Sequence, residues 1–331
     1  MQRQIKLSRG SLIIASFAAI YFIWGSTYLF NYFAIQDIPP FLMAGSRFLV
    51  AGAILYAITW ARGTGQPTRR QWGAAGRMGF LFLVLGTGGT VWAEQWVDTG
   101  IAALIIAFQP LMVVFMMWML FAKRPGTMVL AGVALGVVGM ALLVGQQQFV
   151  TDRDTLIGML VIIGSMTSWC YGSVTLSKAD LPPDRLQSSA MQMLMGGGIL
   201  LVLALLSGDG ARFEPALLTW KAGLSWLFLV VFGSLVAFSA FTYLLQHVSP
   251  DKVATSNYVN PVVALFLGWA FNDELITQQS VLSALLMLAG VFFINSRLQV
   301  KGKPPQAGNP TGVTRRRKVA GMASASAFGT K

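Results

Sequence analysis

The chain has 331 residues, of which 55% are hydrophobic and 11% are charged, and its formal net charge is +12. Soluble domains carry about 25% charged residues, so this composition excludes a water-exposed surface of the usual kind. A net positive charge can indicate a nucleic-acid partner, but the placement of the basic residues indicates a membrane protein, and we predict no nucleic-acid binding.

Ten apolar stretches, each about long enough to cross a bilayer, follow one another along the chain. A helix needs about 20 apolar residues to cross a ~30 Å hydrocarbon layer. Polar and apolar residues do not alternate within the stretches as they do in membrane barrels, so we predict helices. The first is interpreted as a retained span, because its apolar run is longer than the core of a signal peptide. The predicted spans are 11–33, 41–60, 74–92, 100–121, 128–145, 156–176, 186–206, 222–245, 253–271 and 280–297.

The basic residues mark one side of the predicted bundle. If both chain ends lie on that side, it carries 20 Lys or Arg residues, and the opposite side carries three. Cytoplasmic loops are enriched in Lys and Arg. We therefore predict a multi-pass membrane protein, with a cytoplasmic N-terminus at 1–10 and a disordered, basic cytoplasmic tail at 298–331.

Landmarks in the first half of the chain recur in the second half. Gly25 matches Gly172 at an offset of 147, and Pro110 matches Pro261 at an offset of 151. Each half has five spans, and because five is odd the second half would enter the membrane from the other side. We predict an all-α membrane protein of ten transmembrane helices, formed by two inverted five-helix repeats. The predicted segments are 11–145 for the first repeat, 146–155 for an external linker and 156–297 for the second repeat.

Arg47 is the most informative polar position inside a predicted span. It lies seven residues after Pro40, about 10 Å into the membrane at 1.5 Å per residue, where a charge costs at least ~2.5 kcal/mol. Glu94, predicted at a comparable depth, is expected to be its partner. The pair is either a structural link between spans two and three, or a functional one in which Arg47 binds an anionic group of the substrate or Glu94 exchanges a proton.

Two prolines, Pro110 and Pro261, each remove a backbone hydrogen bond within a predicted span. Broken helices near the midplane often form binding sites, because loosened backbone groups can face a cavity. A simple packing kink is the alternative. The polar side chains predicted to contribute to substrate binding are Gln109, Gln192, Asn257 and Asn260.

Aromatic side chains at mid-span depth form another candidate group. Aromatic belts at the membrane borders are the ordinary alternative, but rings with a polar edge also suit an amphiphilic solute. We predict that a substrate cavity is lined by Trp24, Trp169, Tyr171 and Tyr258.

Three glycines in span five, Gly132, Gly136 and Gly139, form a ridge of small residues. Such ridges let two helices approach closely. Span five is therefore predicted to be a packing helix or the contact surface of a homodimer.

Three segments resemble the EamA family of the drug/metabolite transporter superfamily. They are 21–27 (Tyr-Phe-Ile-Trp-Gly-Ser-Thr), 44–48 (Ala-Gly-Ser-Arg-Phe) and 258–264 (Tyr-Val-Asn-Pro-Val-Val-Ala), the last followed by Glu274. The resemblance covers about residues 11–297. It implies a ten-helix bundle of two inverted units in the bacterial inner (plasma) membrane, which most often exports metabolites or amino acids. It does not supply a substrate.

We expect a secondary transporter, surrounded by membrane lipid, that exports a small organic solute by alternating access. The proton gradient or the solute gradient itself would drive the export. The sequence contains no phosphate-binding loop and no HExxH motif, so ATP use, a metal, a cofactor and enzymatic activity are not predicted. The alternatives are a nucleotide-sugar or lipid carrier on the same fold, which more buried cations would favour, and a membrane enzyme, which would need clustered acidic, His or Cys groups.

Overall fold

The computed structural model describes residues 8–97, 102, 105–106, 108–144, 153–271 and 277–295. This part of the chain is helical, and it contains no strands. Residues 1–7, most of the predicted linker at 146–155, Glu274 and the predicted tail at 298–331 lie outside the described residues.

The long helices follow the predicted spans closely. The first half contains α1 (Arg9–Ile35), α2 (Pro40–Ala61), α3 (Arg69–Ala93), α4 (Gln109–Phe121) and α5 (Thr127–Val144). The second half contains α6 (Arg153–Thr175), α7 (Arg185–Leu206), α8 (Trp220–His247), α9 (Ser256–Phe271) and α10 (Gln278–Asn295). Short helical turns in the connections are Leu176–Lys178, Asp209–Arg212, Pro215–Leu217 and Pro250–Val253.

Seven of the described helices are long and apolar enough to cross a membrane, namely α1, α2, α3, α6, α7, α8 and α10. The described parts of α4 and α9 have 13 and 16 residues, and the apolar part of α5 is Thr127–Leu143. Part of the predicted span 100–121 lies outside the described residues. A membrane protein with several crossings is therefore supported, and the count of ten stays a prediction.

Side-chain caps fix where several helices begin. At the start of α3, Thr68 Oγ1 accepts from the backbone N–H of Gln71, and Gln71 Oε1 accepts from the backbone N–H of Thr68. At the start of α7, Asp184 Oδ1 accepts from the Gln187 N–H at 2.8 Å. Such caps satisfy backbone donors that have no partner within the first helical turn.

Helices of the two halves pack in matching pairs. α2 packs against α7 and α5 against α10, while α1 packs on α8 and α9 as α6 packs on α3 and α4. A Cβ on Gly45 would meet Leu201 and one on Gly52 would meet Leu194, so α2 and α7 run antiparallel. Exchanging the first five helices for the last five leaves this set of contacts unchanged, as two related repeats require.

Both α3 and α8 contain a π-helical segment, Phe80–Gly88 in α3 and Leu229–Phe238 in α8. Leu229 follows Phe80 by 149 residues, within the range of offsets found for the repeated landmarks. π-helical turns are rare and occur frequently at functional sites. The sequence did not predict either segment.

The glycine ridge of α5 is an internal packing surface. A Cβ on Gly132 would lie 2.7 Å from the backbone oxygen of Gly290, and one on Gly139 would lie 2.9 Å from that of Ser283. Gly136 faces the ring of Tyr258. The ridge therefore packs α5 against α9 and α10, and because these helices cover it, a homodimer would have to use another surface.

Candidate functional site

Five aromatic rings meet where α1, α3, α6 and α8 converge. The Trp24 ring centroid lies 5.8 Å from that of Trp169 and 5.1 Å from that of Phe241. Phe82 lies 5.0 Å from Trp169 and 6.2 Å from Phe238. Phe82 and Phe238 belong to the two π-helical segments. The ring cluster therefore connects the two halves of the chain at turns that depart from α-helical geometry.

The ring cluster brings Trp24 and Trp169 into contact, and their role as cavity walls stays a prediction. Tyr171 is not part of the ring cluster. Its side chain is 44% exposed, on a face of α6 that also exposes Leu160 and Ile163. Residues three, four or seven positions apart share one face of a helix. Tyr171 therefore faces outward in this conformation, outside the ring cluster, and its role as a cavity wall stays a prediction.

Tyr258 is a packing residue between α9 and α5. Its ring is fully buried against Gly136, and its hydroxyl donates to the Val133 carbonyl oxygen at 3.3 Å. The structure thus places Tyr258 away from the ring cluster. In this conformation the ring is buried against Gly136, and its role as a cavity wall stays a prediction.

The two asparagines of α9 make hydrogen bonds within the protein. The amide nitrogen of Asn260, in the orientation that faces carbonyl groups, donates to the backbone oxygens of Tyr21 at 3.2 Å and Ser256 at 3.0 Å. Asn257 Nδ2 donates to the Ala254 carbonyl oxygen at 3.0 Å. Asn260 therefore attaches α9 to α1, directly beside Pro261, which lies inside the helix as predicted.

Pro110 lies in the first turn of α4, which begins at Gln109. The missing N–H of proline has no cost in this position, because the first N–H groups of a helix have no partner within it. Residues 105 and 106 are also helical and Phe108 lies in a turn before α4, so the predicted break lies where α4 starts. Gln109 is buried, and its backbone oxygen accepts from Cys170 Sγ at 3.7 Å.

Gln192 is fully buried in α7. Its Nε2 donates to the backbone oxygen and to the hydroxyl of Ser188, both at 3.2 Å. Its Oε1 has no hydrogen-bond partner among the described residues. Gln192 and Arg47 lie at different levels in the bundle. The antiparallel packing of α2 and α7 places them about two helical turns apart along the helix axes.

Arg47 is 7% exposed and bonds to α1 rather than to Glu94. Its Nη1 donates to Asn31 Oδ1 at 3.0 Å, and its Nε has no partner among the described residues. No ion pair within 4.0 Å joins Arg47 to Glu94 in the part of the chain that the structure describes. The predicted pair is therefore wrong for this conformation, because sequence spacing gives the depth of a side chain but not its direction around the helix.

Glu94 follows the last residue of α3 and is partly buried. Burial raises the pKa of its carboxyl group to about 7. Its chain neighbours Trp92 and Trp96 line a cleft of about 150 Å³, together with Asp209, whose Oδ2 accepts from the Phe41 N–H at 3.0 Å. A carboxyl group with a pKa near 7 gains and loses a proton in the physiological range.

A second polar cluster joins the start of α7 to the end of α8. Arg185 Nη2 lies 3.0 Å from His247 Nε2, and because arginine only donates, this nitrogen is the acceptor. His247 Nδ1–H then donates to the Tyr243 carbonyl oxygen at 2.8 Å. This geometry agrees with a structural role for the histidine.

Each of the two predicted repeats matches the same known family. The EamA-like transporter family matches the chain twice, over residues 11–145 and 156–296. The chain belongs to the EamA-like transporter family. The matched regions coincide with the predicted repeats, and the resemblance seen in the sequence is confirmed.

Relatives of this EamA-like transporter are named as transporters. The uncharacterized inner membrane transporter YedA of Escherichia coli strain K12 is 35% identical over 266 residues, which cover 78% of this chain and 83% of YedA. The uncharacterized transporter YoaV of Bacillus subtilis strain 168 is 24% identical over 281 residues, which cover 85% and 95%. A crystal structure with 20% identity shares the fold, with a TM-score of 0.70 over 86% of this chain and 96% of that chain.

Several residues of the EamA-like transporter's candidate site were missed from the sequence. Asn31, the partner of Arg47, was detectable as an amide within the apolar span 11–33. Phe82, Phe238 and Phe241 carried no such signal, since phenylalanine is frequent in every membrane span.

Proposed function

We propose that this EamA-like transporter is a secondary transporter with ten membrane crossings in two inverted units, which exports a small organic metabolite or amino acid by alternating access. Both termini are cytoplasmic in this proposal. The start of α2 and the end of α3, with the Trp92 cleft, then lie at the external face.

The proposal rests above all on the exchange symmetry of the helix contacts. α1 packs on α8 and α9 just as α6 packs on α3 and α4. If each half adopts the conformation of the other, the same set of contacts is formed again, and access changes from one side of the membrane to the other. A carrier needs two states of similar energy, and related halves supply them.

The ring cluster and the π-helical segments provide parts for such a cycle. The rings of Trp24, Trp169 and Phe241 fill the space between α1, α6 and α8, so they would block passage in the described conformation. The π-helical segments carry Phe82 and Phe238, and a change of one turn there would move both rings. Glu94 would take up an external proton as the solute leaves.

Metabolite profiling tests the export activity. The medium and cytosol are compared for cells that overproduce the wild-type protein, Trp24→Ala or Trp60→Ala. Trp60 is 71% exposed and lies outside the ring cluster, so it is the matched control. We expect Trp60→Ala to export like wild type, and Trp24→Ala to export about tenfold less, because ring contacts contribute roughly 0.5–1.5 kcal/mol each and 1.36 kcal/mol is tenfold in rate.

Two results would contradict the proposal. If overproduction changes no solute in the medium, the protein is not an exporter under these conditions. If Trp24→Ala exports as well as wild type, the ring cluster has no part in the pathway. Reporter fusions after residue 150 and at the C-terminus test the inverted arrangement separately, because it requires the two reporters to lie in opposite compartments.

A further inference from the structure

Arg47 carries a buried positive charge that the described residues compensate only in part. Its recorded acceptor is Asn31 Oδ1, a neutral oxygen, at 3.0 Å from Nη1. Nε has no acceptor among the described residues, although it is fully enclosed. A desolvated charge without a counter-charge is costly, both in a protein interior and at membrane depth.

Three described acidic residues at this end of the bundle do not neutralise Arg47. Asp37 Oδ2 accepts from the Thr219 N–H at 2.9 Å and from its hydroxyl at 2.6 Å. Asp209 Oδ2 accepts from the backbone N–H of Phe41. Glu94 lies beyond ion-pair distance of the guanidinium in the part of the chain that is described. A counter-ion for Arg47 therefore has to come from outside the described residues.

We propose that Arg47 binds the carboxylate of the transported solute, and this inference rests on the proposed transport function. Asn31 holds Nη1, which lies on the opposite side of the guanidinium from Nε–H. The Nε and Nη2 edge has no acceptor among the described residues, and its two parallel N–H groups match the two oxygens of a carboxylate. Asn31 is then a positioning residue, which fixes the direction in which this edge points.

The surroundings suit an organic acid with an apolar body. The guanidinium carbon lies 4.5 Å from the centroid of the Phe48 ring. The Trp226 indole Nε1 donates to Ser46 Oγ at 3.0 Å and so fixes a second ring beside α2. Buried apolar side chains of α1, α2 and α8, including Ala34, Met43 and Leu229, pack together with it.

Charge compensation gives the solute a role in the transport cycle. Nε is enclosed in the described conformation, so a ligand reaches it only as the helices move apart. A bound carboxylate neutralises the charge when they close again, whereas the empty site closes over an uncompensated cation. The loaded carrier is thus favoured over the empty one in the closed state, as required for movement of solute without leak.

Thermal unfolding of the purified full-length protein in detergent tests the site with benzoate as the probe. Benzyl alcohol at the same concentration supplies the ring without the charge, and inorganic phosphate supplies an anion of another geometry, all at constant ionic strength. The variants are Arg47→Gln and Asn31→Asp, with Arg77→Gln as the control, because Arg77 is an exposed arginine of α3.

Asn31→Asp is the decisive variant, because it supplies a carboxylate from the protein. We expect it to unfold at a higher temperature than wild type without benzoate, and to lose its response to benzoate while Arg47 is still present. Benzoate should raise the unfolding temperature of wild type and of Arg77→Gln. For Arg47→Gln the concentration needed for the same shift should rise at least about tenfold.

Four outcomes would overturn the assignment. They are an absence of any benzoate effect on wild type, an equal effect of benzyl alcohol, an effect of phosphate in place of benzoate, and an unchanged response in Asn31→Asp. If Arg47→Gln does not fold, the unfolding temperature of Asn31→Asp and its response to benzoate still test whether Arg47 binds a carboxylate.

The metabolite profiles separate this inference from the transport function. Export of solutes that lack a carboxylate, or export that is unchanged in Arg47→Gln, would overturn the anion site and leave the exporter in place. If the medium of cells with the wild-type protein contains the same solutes as the medium of cells without it, the transport function itself is overturned.

Discussion

Gly132→Ala should destabilise the protein, because the two helices that meet at this residue are in backbone contact. The added Cβ would lie 2.7 Å from the Gly290 backbone oxygen and 3.1 Å from the Ile294 backbone nitrogen. Neither atom can rotate away as a side chain would. The α5–α10 contact would have to open by about 0.5–1 Å for the Cβ to reach ordinary contact distance.

The cost of this opening can be estimated from the side chains in the contact. Ile294 and Met287 are 2% and 0% exposed, so each is surrounded by packed atoms. A gap of about 0.5–1 Å removes roughly a quarter to a half of the dispersion energy of each contact, and a buried side chain makes about 40–60 contacts of about 0.1–0.2 kcal/mol. The lower limits of these values give a loss of about 1 kcal/mol for each side chain and about 2 kcal/mol for the two, and the better helix propensity of alanine offsets about 1 kcal/mol. We expect a net destabilisation of at least about 1 kcal/mol.

Thermal unfolding in detergent, followed by the fluorescence of the 10 tryptophans, measures the effect. Gly164→Ala in α6 is the matched control, because a Cβ there meets nothing within 4 Å. It should unfold at or above the wild-type temperature, and Gly132→Ala clearly below it. Equal unfolding temperatures for the two variants would refute the close backbone contact between α5 and α10.

Three further perturbations test other parts of the structure. Glu94→Gln should remove a pH dependence of the unfolding temperature. Burial raises the pKa of Glu94 from 4.5 to about 7, so the carboxyl group ionises at a lower pH in the unfolded chain than in the folded one. The stability of wild type should therefore fall, relative to that of Glu94→Gln, as the pH rises from about 5 to 8. Asp37→Asn should lower the unfolding temperature at pH 7, since hydrogen bonds from Thr219 hold the pKa of Asp37 below 3.8; the difference from wild type should shrink as the pH falls through that lowered pKa, and a difference that persists in acid would contradict the assignment. Asn260→Ala should cost about 1–3 kcal/mol in chemical unfolding because it loses its bonds to α1, whereas Asn257→Ala, whose amide bonds within its own turn, should cost less.

The sequence predicted structural features that depend only on the position of a residue along the chain. The close packing at Gly132 and the interior proline at Pro261 follow from local composition, and the structure contains them. Seven of the predicted spans also correspond to described helices that are long and apolar enough to cross a membrane. The family and its two repeats also followed from the sequence, since landmarks such as Gly25 and Gly172 recur in order.

The sequence could not predict what depends on direction around a helix axis. In water, polar residues mark the outer face of a helix, but in lipid both faces are apolar. The sequence could therefore give the depth of Tyr171 but not the direction in which its side chain points. The same ambiguity assigned Arg47 to Glu94 instead of Asn31. The π-helical segments depend on contacts from distant helices, and no local pattern announces them.

The antiparallel packing of α2 with α7 also has an electrical consequence. Each helix carries a macrodipole equal to about half an elementary charge at either end. Side by side in opposite directions, the dipoles of the pair largely cancel, so its backbone adds little to the electrostatic potential within the bundle. The sign of that potential beside the pair is then set by ionised side chains, of which the buried Arg47 is one.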